Sequence, residues 1–173
     1  MKPLTVDLPY PKMDNITKNY AYAQLISNAY ATKHSELTAI LQYQYHALYF
    51  NRLNMPEFAD VIISISLAEM EHLSILAELL NRLGSDSAYG INTPCGFQFF
   101  NASSVEYSKT PNKMLLDDIS GEMLGIRGYE EIIEKIEDDN VSAIISRILL
   151  DSLMTCGLLL ENFDIILHPP LNL

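Results

Sequence analysis

The sequence predicts an all-α protein, a single domain in which four helices form two antiparallel pairs joined by a long crossover. The chain of 173 residues is long enough for one domain with a sizeable core, and its 7 glycines and 8 prolines are too few for a turn-rich all-β protein. Apolar residues recur at helical spacing in four stretches. The connections between them are short, long and short, which favours a four-helix bundle.

The first helix pair is bounded by turn-forming residues. We expect the first helix over 15–50 and the second over 54–84. Pro56 lies in the first turn of the second helix, where a missing N–H group costs nothing. Gly84 is suited to a left-handed cap at the end of that helix.

The second helix pair follows a segment without helical periodicity. Residues 85–109 mix turn formers with aromatic residues, so we expect an ordered crossover rather than a flexible linker. The third helix is expected over 110–138 and the fourth over 141–167, where His168 and two prolines stop it. The single domain is expected to span residues 1–173.

The charge balance limits the classes of partner. The chain has 22 acidic and 11 basic residues and a net charge of −11, which repels phosphate backbones and predicts no nucleic-acid partner. The N-terminus lacks the apolar run of a signal peptide, and charged residues interrupt the longest apolar stretch, so we expect a cytoplasmic protein with no membrane partner. Cys95 and Cys156 are too few for a disulfide framework, in keeping with a reducing compartment.

Three of the four apolar stripes are interrupted by a carboxylate. Glu36 lies on the stripe of the first helix and Glu122 on that of the third. In the second helix Glu69 is followed three residues later by His72, so both side chains project from one face toward the core. The pattern therefore places three carboxylates and an imidazole where apolar residues are expected.

Two of these carboxylates belong to an internal repeat. The segments ELTAILQY and EMLGIRGY each begin with Glu, followed by Ile four residues later and Tyr seven residues later. The repeat makes Glu36 equivalent to Glu122, and Tyr43 equivalent to Tyr129. Both tyrosines are candidates for contacting the ligands rather than the metal.

Any one of these polar residues has an ordinary explanation. A single Glu on an amphipathic helix is usually solvated at the edge of the stripe, and a single His there is usually a hydrogen-bonded core residue. Three carboxylates in one buried volume need a cation, protons or both, because an unpaired buried charge is costly. Bundles that hold two metals use Glu from two helices and Glu-x-x-His from the other two, so the pattern predicts a metal site.

The segments SELTAILQYQYH, LAEMEHL and RILLDSLM resemble bacterial ferritin-like proteins of the rubrerythrin and manganese-catalase type. The resemblance covers about residues 19–167 and implies a ferritin-like four-helix bundle. In that family the fourth helix carries an Asp followed by the ligands Glu and His; aligning Asp151 with this Asp places the ligands at Ser152 and Thr155. Half of the two-metal site is therefore missing. The remaining ligand positions are occupied by Glu36, Glu69, His72 and Glu122.

The ligand set also resembles that of the shell-forming storage ferritins, which combine Glu, Glu-x-x-His and Glu with a polar residue on the fourth helix. This resemblance leaves open a second, weaker metal position that Glu69 bridges and Glu122 holds. A storage shell is not expected, because no fifth helix is predicted after residue 167.

We therefore expect one iron or manganese ion per chain, with zinc also able to bind in vitro. Two-metal peroxide chemistry needs ions about 3.5 to 4 Å apart. A half site predicts at most weak oxidoreductase or iron-oxidising activity. The alternative is a metal-free structural or assembly bundle that has lost the ancestral two-metal chemistry.

The outer faces of two helices predict association. The fourth helix carries Met154, Leu158 and Ile165 away from its ligand stripe. The first helix carries tyrosines around its circumference, among them Tyr30. Such surfaces usually pack on something, so we expect a homodimer or a partner subunit of the same fold. The equal alternative for any one of these residues is that the crossover of the same chain covers it.

Overall fold

The computed structural model describes residues 1–168 and is mostly helical. The prediction of an all-α bundle is confirmed: α2 packs along α3, α4 packs along α5, and the two pairs are joined by a long crossover. Pro169 and Pro170, which were expected to stop the last helix, lie outside the described residues. The helices of the described part of the chain are α1 Tyr20–Tyr30, α2 Glu36–Arg52, α3 Pro56–Arg82, α4 Pro111–Lys135 and α5 Asp139–Leu167.

The single helix expected over 15–50 is wrong, because this stretch forms α1 and α2 with a break between them. Side-chain hydroxyls form hydrogen bonds with backbone groups that would bond to other backbone groups in a continuous helix. Ser35 Oγ donates to the carbonyl of Thr32 at 2.8 Å and accepts from its N–H at 2.9 Å, and Thr38 Oγ1 donates to the same carbonyl at 2.7 Å. The break makes Glu36 the first residue of α2, at the positive end of the helix dipole.

The other helices begin and end within a few residues of the predicted bounds. Pro56 opens α3 and Pro111 opens α4, each in the first helical position. The last helix begins at Asp139, two residues before the predicted start, because the side chain of Asp138 caps it by accepting from two backbone N–H groups.

The crossover between the helix pairs contains a small antiparallel hairpin, β1 Gly90–Thr93 and β2 Gly96–Phe99, followed by a short 3₁₀ turn. It is tied to the bundle by side chains of α1 and α2. Tyr30 is buried and donates from its hydroxyl to the carbonyl of Ser87 at 2.8 Å, so for this tyrosine the expected alternative, cover by the crossover, is the one observed. Gln42 accepts from the N–H of Glu106 at 3.0 Å.

The core consists of two apolar clusters. One surrounds α1 and the adjoining ends of α3, α4 and α5, and includes Ile26, Leu76 and Ile144. The other lies at the opposite end of the bundle and includes Phe50, Ile62 and Leu115. The predicted site residues lie between the two clusters, so a polar layer crosses the middle of an apolar bundle.

The N-terminal segment, residues 1–19, has no helix and runs across the outside of α3 and α5. Leu4 donates from its N–H to the carbonyl of Ser64 on α3 at 3.0 Å. Arg147 of α5 donates to the carbonyls of Val6 and Leu8 at distances from 2.8 to 3.0 Å. These contacts hold the segment in an extended path that brings it close to the polar layer.

Candidate metal centre

Three of the predicted ligands meet in the polar layer. Glu36 of α2 and Glu69 and His72 of α3 each direct one potential donor atom to a common point, and these atoms lie within 4.8 Å of one another. All three side chains are buried. Among residues 1–168 this is the one group of three or more His, Cys, Asp or Glu side chains with that geometry.

His72 is oriented by a carboxylate on each side of its ring. Its Nδ1 lies 2.9 Å from Glu69 Oε2 and 3.8 Å from Glu36 Oε1, so this nitrogen faces the cluster. Its Nε2 lies 3.1 Å from Asp151 Oδ2 on α5. A carboxylate behind the ring fixes its orientation and favours the tautomer with the proton on Nε2 when Nδ1 binds a metal.

Asp151 was not predicted to contact the site. It forms an ion pair with Arg147 one turn earlier on α5, at 2.6 Å between Nη1 and Oδ1. The same carboxylate also accepts from the N–H of Val6 at 2.7 Å and from the hydroxyl of Tyr10 at 2.6 Å. Asp151 therefore joins His72 to the N-terminal segment. Of these contacts, helical spacing could predict the one with Arg147, because the two residues are four apart on the same helix.

The two repeat tyrosines cross between the helix pairs. Tyr43 of α2 donates to Glu122 of α4, and Tyr129 of α4 donates to Glu36 of α2. Glu122 is buried and faces the same cavity as the other carboxylates, but it does not belong to the group of three. The structure thus brings Glu36 and Glu69 together and leaves Glu122 beside them, held by Tyr43.

The pKa values of the buried carboxyls Glu36 and Glu69 are shifted in opposite directions. Burial raises the pKa of Glu36, but hydrogen bonds from Glu69, His72 and Tyr129 outweigh it and leave that pKa below its usual value. Burial and the negative charge of Glu36 raise the pKa of Glu69 well above its usual range. At neutral pH Glu36 is therefore ionised, and of the two carboxyls Glu69 is the one that holds a proton more strongly.

Burial also sets the protonation of the surrounding groups. It raises the pKa of Glu122 to about 8, against the lowering effect of the hydrogen bond from Tyr43. Burial lowers the pKa of His72, but the carboxylates of Glu69, Asp151 and Glu36 raise it well above its usual value. The ring is therefore an imidazolium between carboxyls. A metal that binds through these residues must displace their protons.

The positions predicted to have lost their ligands lie in the same layer. Ser152 is buried on α5 and lines the cavity that Glu36, Glu69 and Glu122 share. Its hydroxyl donates to the carbonyl of Ile148 at 3.4 Å, one turn earlier. Thr155 is also buried, and its Oγ1 has no hydrogen-bond partner among residues 1–168.

The comparisons with known proteins identify the family of the fold. The family model of the ferritin-like domain matches residues 31–151, well over half of the chain. This chain belongs to the ferritin-like family. No curated protein matches it.

Two solved structures with the same fold are manganese catalases. Wild-type KatB from Anabaena superposes with a TM-score of 0.78 and 18% identity, over 95% of this chain and 82% of that one. A second structure of Anabaena KatB gives a TM-score of 0.75 and 18% identity, over 94% of this chain and 83% of that one. At this level of identity the likeness establishes the ferritin-like fold and leaves the chemistry to the site itself.

The buried site of this ferritin-like bundle opens onto a groove between α4 and the first two helices. The cavity measures about 460 Å³ and reaches Glu36, Glu69, Glu122 and Ser152. Three glycines of α4 line it, and a Cβ atom added at any of them would contact nothing within 4 Å. These glycines are Gly121, Gly125 and Gly128. The carboxyls are thus reached through open space between helices.

A second buried polar cluster in the ferritin-like bundle lies next to the site. His46 Nδ1 and Gln42 Nε2 each lie 2.8 Å from Asp118 Oδ1, and both His46 and Asp118 are fully buried. Burial raises the pKa of Asp118. The cluster joins α2 to α4 one turn from Glu122. Sequence reasoning missed it, although Asp118 lies four residues before Glu122 and Gln42 four residues before His46, spacings that place each pair on one helix face.

Proposed function

We propose that this chain is a ferritin-like metal-binding protein that holds one iron or manganese ion per chain through Glu36, Glu69 and His72. The observation that carries the proposal is the convergence of two carboxylates and an imidazole, all buried, with donor atoms within 4.8 Å. Buried charged groups at this density are usually paired or bound to a cation.

The residues present fit a transition metal. Glu69 Oε1 is buried without a hydrogen-bond partner among residues 1–168, so this carboxyl has an oxygen free that could bind an ion once its proton is displaced. Carboxylate oxygens with one imidazole suit iron(II) and manganese(II), and zinc binds the same donors. Glu122 is placed to serve as the fourth ligand or to stay hydrogen-bonded to Tyr43 beside the ion.

The α5 side of the site limits the chemistry. Ser152 and Thr155 offer hydroxyls where a second ion would need a carboxylate and an imidazole. A bound ion would supply Lewis acidity and, with iron or manganese, one-electron exchange with oxygen or peroxide. The groove admits such small molecules, and Tyr43 and Tyr129 hold the two outer carboxyls in place. We propose weak oxidoreductase or iron-oxidising activity at most, and little catalase activity.

A second candidate function is a metal-free structural or assembly subunit. The observation that favours it is that the layer offers its own counter-charges: the His72 ring lies between Glu69 and Asp151, and the pKa values of both Glu69 and His72 are raised well above their usual values. The hydroxyl of Ser152 is satisfied by its own helix. A layer neutralised in this way can persist in a folded bundle without an ion.

Metal stoichiometry distinguishes the two candidates. Protein purified without chelators, and again after incubation with iron(II) or manganese(II) and removal of excess metal, is analysed for its elements. The first candidate requires one ion per chain in the parent and its loss in His72→Ala, while Glu78→Ala on the exposed face of α3 keeps it. No bound ion in the parent under any loading condition would leave the metal-free subunit as the function.

A further inference from the structure

The groove above the metal centre is larger than an ion or a peroxide molecule needs. Its volume of about 460 Å³ lies within the range of about 300–1,000 Å³ that is typical of sites for small organic molecules. It follows α4 from Asp117 to Lys135, and the proposed metal ligands account for one part of it. Its walls include aliphatic side chains from three helices: Leu25, Ala29, Ala39, Leu124 and Ile132. The cavity therefore has the room and the apolar surface to hold an organic ligand.

Three glycines of α4 form a strip along this groove: Gly121, Gly125 and Gly128. They are four and three residues apart, so they lie on one face of the helix and span about 10 Å of its length. Alanine stabilises a helix more than glycine does at such positions. A Cβ atom added at any of the three would meet no atom of the surrounding structure within 4 Å, so packing within the chain does not require glycine. The glycine strip instead leaves the groove free for another molecule.

A carboxyl oxygen without a donor lies at one end of the glycine strip. Asp118 is fully buried, lines the groove and precedes Gly121 by three residues, about one turn of helix. Its Oδ1 accepts from Gln42 Nε2 at 2.8 Å and lies 2.8 Å from His46 Nδ1. Its Oδ2 has no hydrogen-bond partner among residues 1–168. A buried carboxyl oxygen of this kind favours a ligand that brings a hydrogen-bond donor or a positive charge.

We propose that the groove binds a primary alkylammonium ion, with its head at Asp118 and Glu122 and its alkyl chain along the glycine strip. The ammonium group carries three N–H donors and a positive charge, so it supplies the donor that Asp118 Oδ2 lacks. Glu122, four residues further along α4, also lines the groove and offers a second carboxyl. The aliphatic walls remove the chain from water. This head position needs none of Glu36, Glu69 and His72, the residues proposed to hold the metal ion.

The charges along the groove favour this orientation of the ligand. Gln42 contacts Asp118, and Tyr129 contacts Glu36 at the start of α2, so α2 and α4 run antiparallel along the groove. The exposed lysines that line the groove therefore lie at the end far from Asp118: Lys33 and Lys135. An ammonium head at Asp118 is attracted there without an opposing cation, whereas the head of an alkyl carboxylate would be repelled.

Calorimetric titration of the metal-free protein with n-octylammonium chloride tests the groove. The parent should bind one molecule per chain with a Kd below about 1 mM. Gly125→Leu fills the middle of the glycine strip and should raise that Kd by at least about tenfold. Gly157→Leu is the matched control and should bind as the parent does, because this glycine of α5 does not line the groove and its added Cβ also meets nothing within 4 Å. Circular dichroism verifies the fold of each variant. No binding by the parent, or equal binding by Gly125→Leu, overturns the proposal.

Changes to the ligand head and to its carboxyl test the charge complementarity. Asp118→Asn should raise the Kd of n-octylammonium by about tenfold, since a charge-assisted hydrogen bond is lost. Asp164→Asn, on the exposed part of α5, should bind as the parent does. The parent should not bind n-octanoate measurably, because its head is an anion. Binding of n-octanoate as tightly as n-octylammonium, or an Asp118→Asn variant that is folded and binds like the parent, overturns the proposal.

Manganese(II) distinguishes the alkylammonium from a second ion at the same carboxyls. Neither Asp118 nor Glu122 belongs to a group of three converging His, Cys, Asp or Glu side chains among residues 1–168, and an ion needs no glycine strip. Additional manganese that is lost in Asp118→Asn and kept in Gly125→Leu, with no binding of n-octylammonium by the parent, would show a metal position and overturn the proposal. Gly125→Leu should keep the metal content of the parent, so failure of the groove and failure of the proposed metal centre give separate results.

Discussion

Tyr43 donates its hydroxyl hydrogen bond to Glu122, a residue 79 positions further along the chain on another helix pair. Its repeat equivalent, Tyr129, donates in the opposite direction to Glu36. Each half of the bundle therefore holds a carboxyl of the other half. The difference between the two bonds is protonation: Glu36 is ionised, while burial raises the pKa of Glu122 to about 8.

This difference predicts unequal effects of removing the two hydroxyls. Tyr129→Phe takes a donor from a charged carboxylate and should lower the free energy of unfolding of the metal-free protein by about 1.5–3 kcal/mol at pH 7. Tyr43→Phe takes a donor from a neutral carboxyl and should cost about 0.5–1.5 kcal/mol. Urea unfolding with a chelator present measures both. Equal losses would contradict the assignment of charge to Glu36 and not to Glu122.

Replacing Asp151 with Asn should weaken metal binding without touching a ligand. The variant removes the carboxylate behind His72, which lowers the basicity of the ring and loosens its orientation, and a loss of about 10- to 100-fold in affinity is expected. His72→Ala should lose at least as much. Competition with a chelator of known affinity measures both variants. Asp164→Asn, on the exposed part of the same helix, is the control and should bind as the parent does.

Metal affinity should rise with pH. The raised pKa values of Glu69, His72 and Glu122 mean that binding near neutral pH displaces protons, and fewer remain to be displaced as the pH increases. If Glu122 is a ligand, its share of this dependence disappears above about 8, where it has already ionised.

Chelator competition across the pH range tests this dependence, with Glu122→Gln as the comparison. The variant has no proton to release at that position. At pH values below about 8, the slope of log affinity against pH should therefore be smaller than in the parent. A slope identical to that of the parent would mean that Glu122 does not release a proton on binding and lies outside the coordination sphere.

The double change Ser152→Glu and Thr155→His should restore a second metal position. It places Glu-x-x-His on α5 opposite Glu69 and His72, so the stoichiometry should rise to two ions per chain with a gain in peroxide decomposition or iron oxidation. Adding bulk to a packed layer should cost the metal-free variant about 1–3 kcal/mol, which metal restores by mass action. A folded double variant that stays at one ion would show that α5 is misaligned with the family motif.

Much of the site could be predicted because its parts repeat at helical spacing. Glu36 and Glu122 lie on apolar stripes, and Glu69 and His72 are three residues apart, about one helical turn. These relations follow from the geometry of a single helix or from a comparison of two helices. They required no knowledge of how the chain packs.

The parts that could not be predicted depend on contacts between distant segments. The break before Glu36 leaves the apolar period intact, and only the hydroxyls of Ser35 and Thr38 mark it. The role of Asp151 requires the N-terminal segment and α3 to reach the same carboxylate, at separations of 145 and 79 residues. Helical periodicity carries no information about such separations.

The N-terminal segment gives the protein a built-in spectroscopic probe. The amide of Val6 donates to Oδ1 of Asp151. The other carboxylate oxygen, Oδ2, lies 3.1 Å from His72 Nε2. A change in the charge of that ring alters the shielding of this proton and its protection from exchange with deuterium, since both depend on the acceptor. The nuclear magnetic resonance signal of the Val6 amide, at the edge of the bundle, should therefore report metal binding beside His72 when the protein is titrated with metal. No label in the buried site is needed.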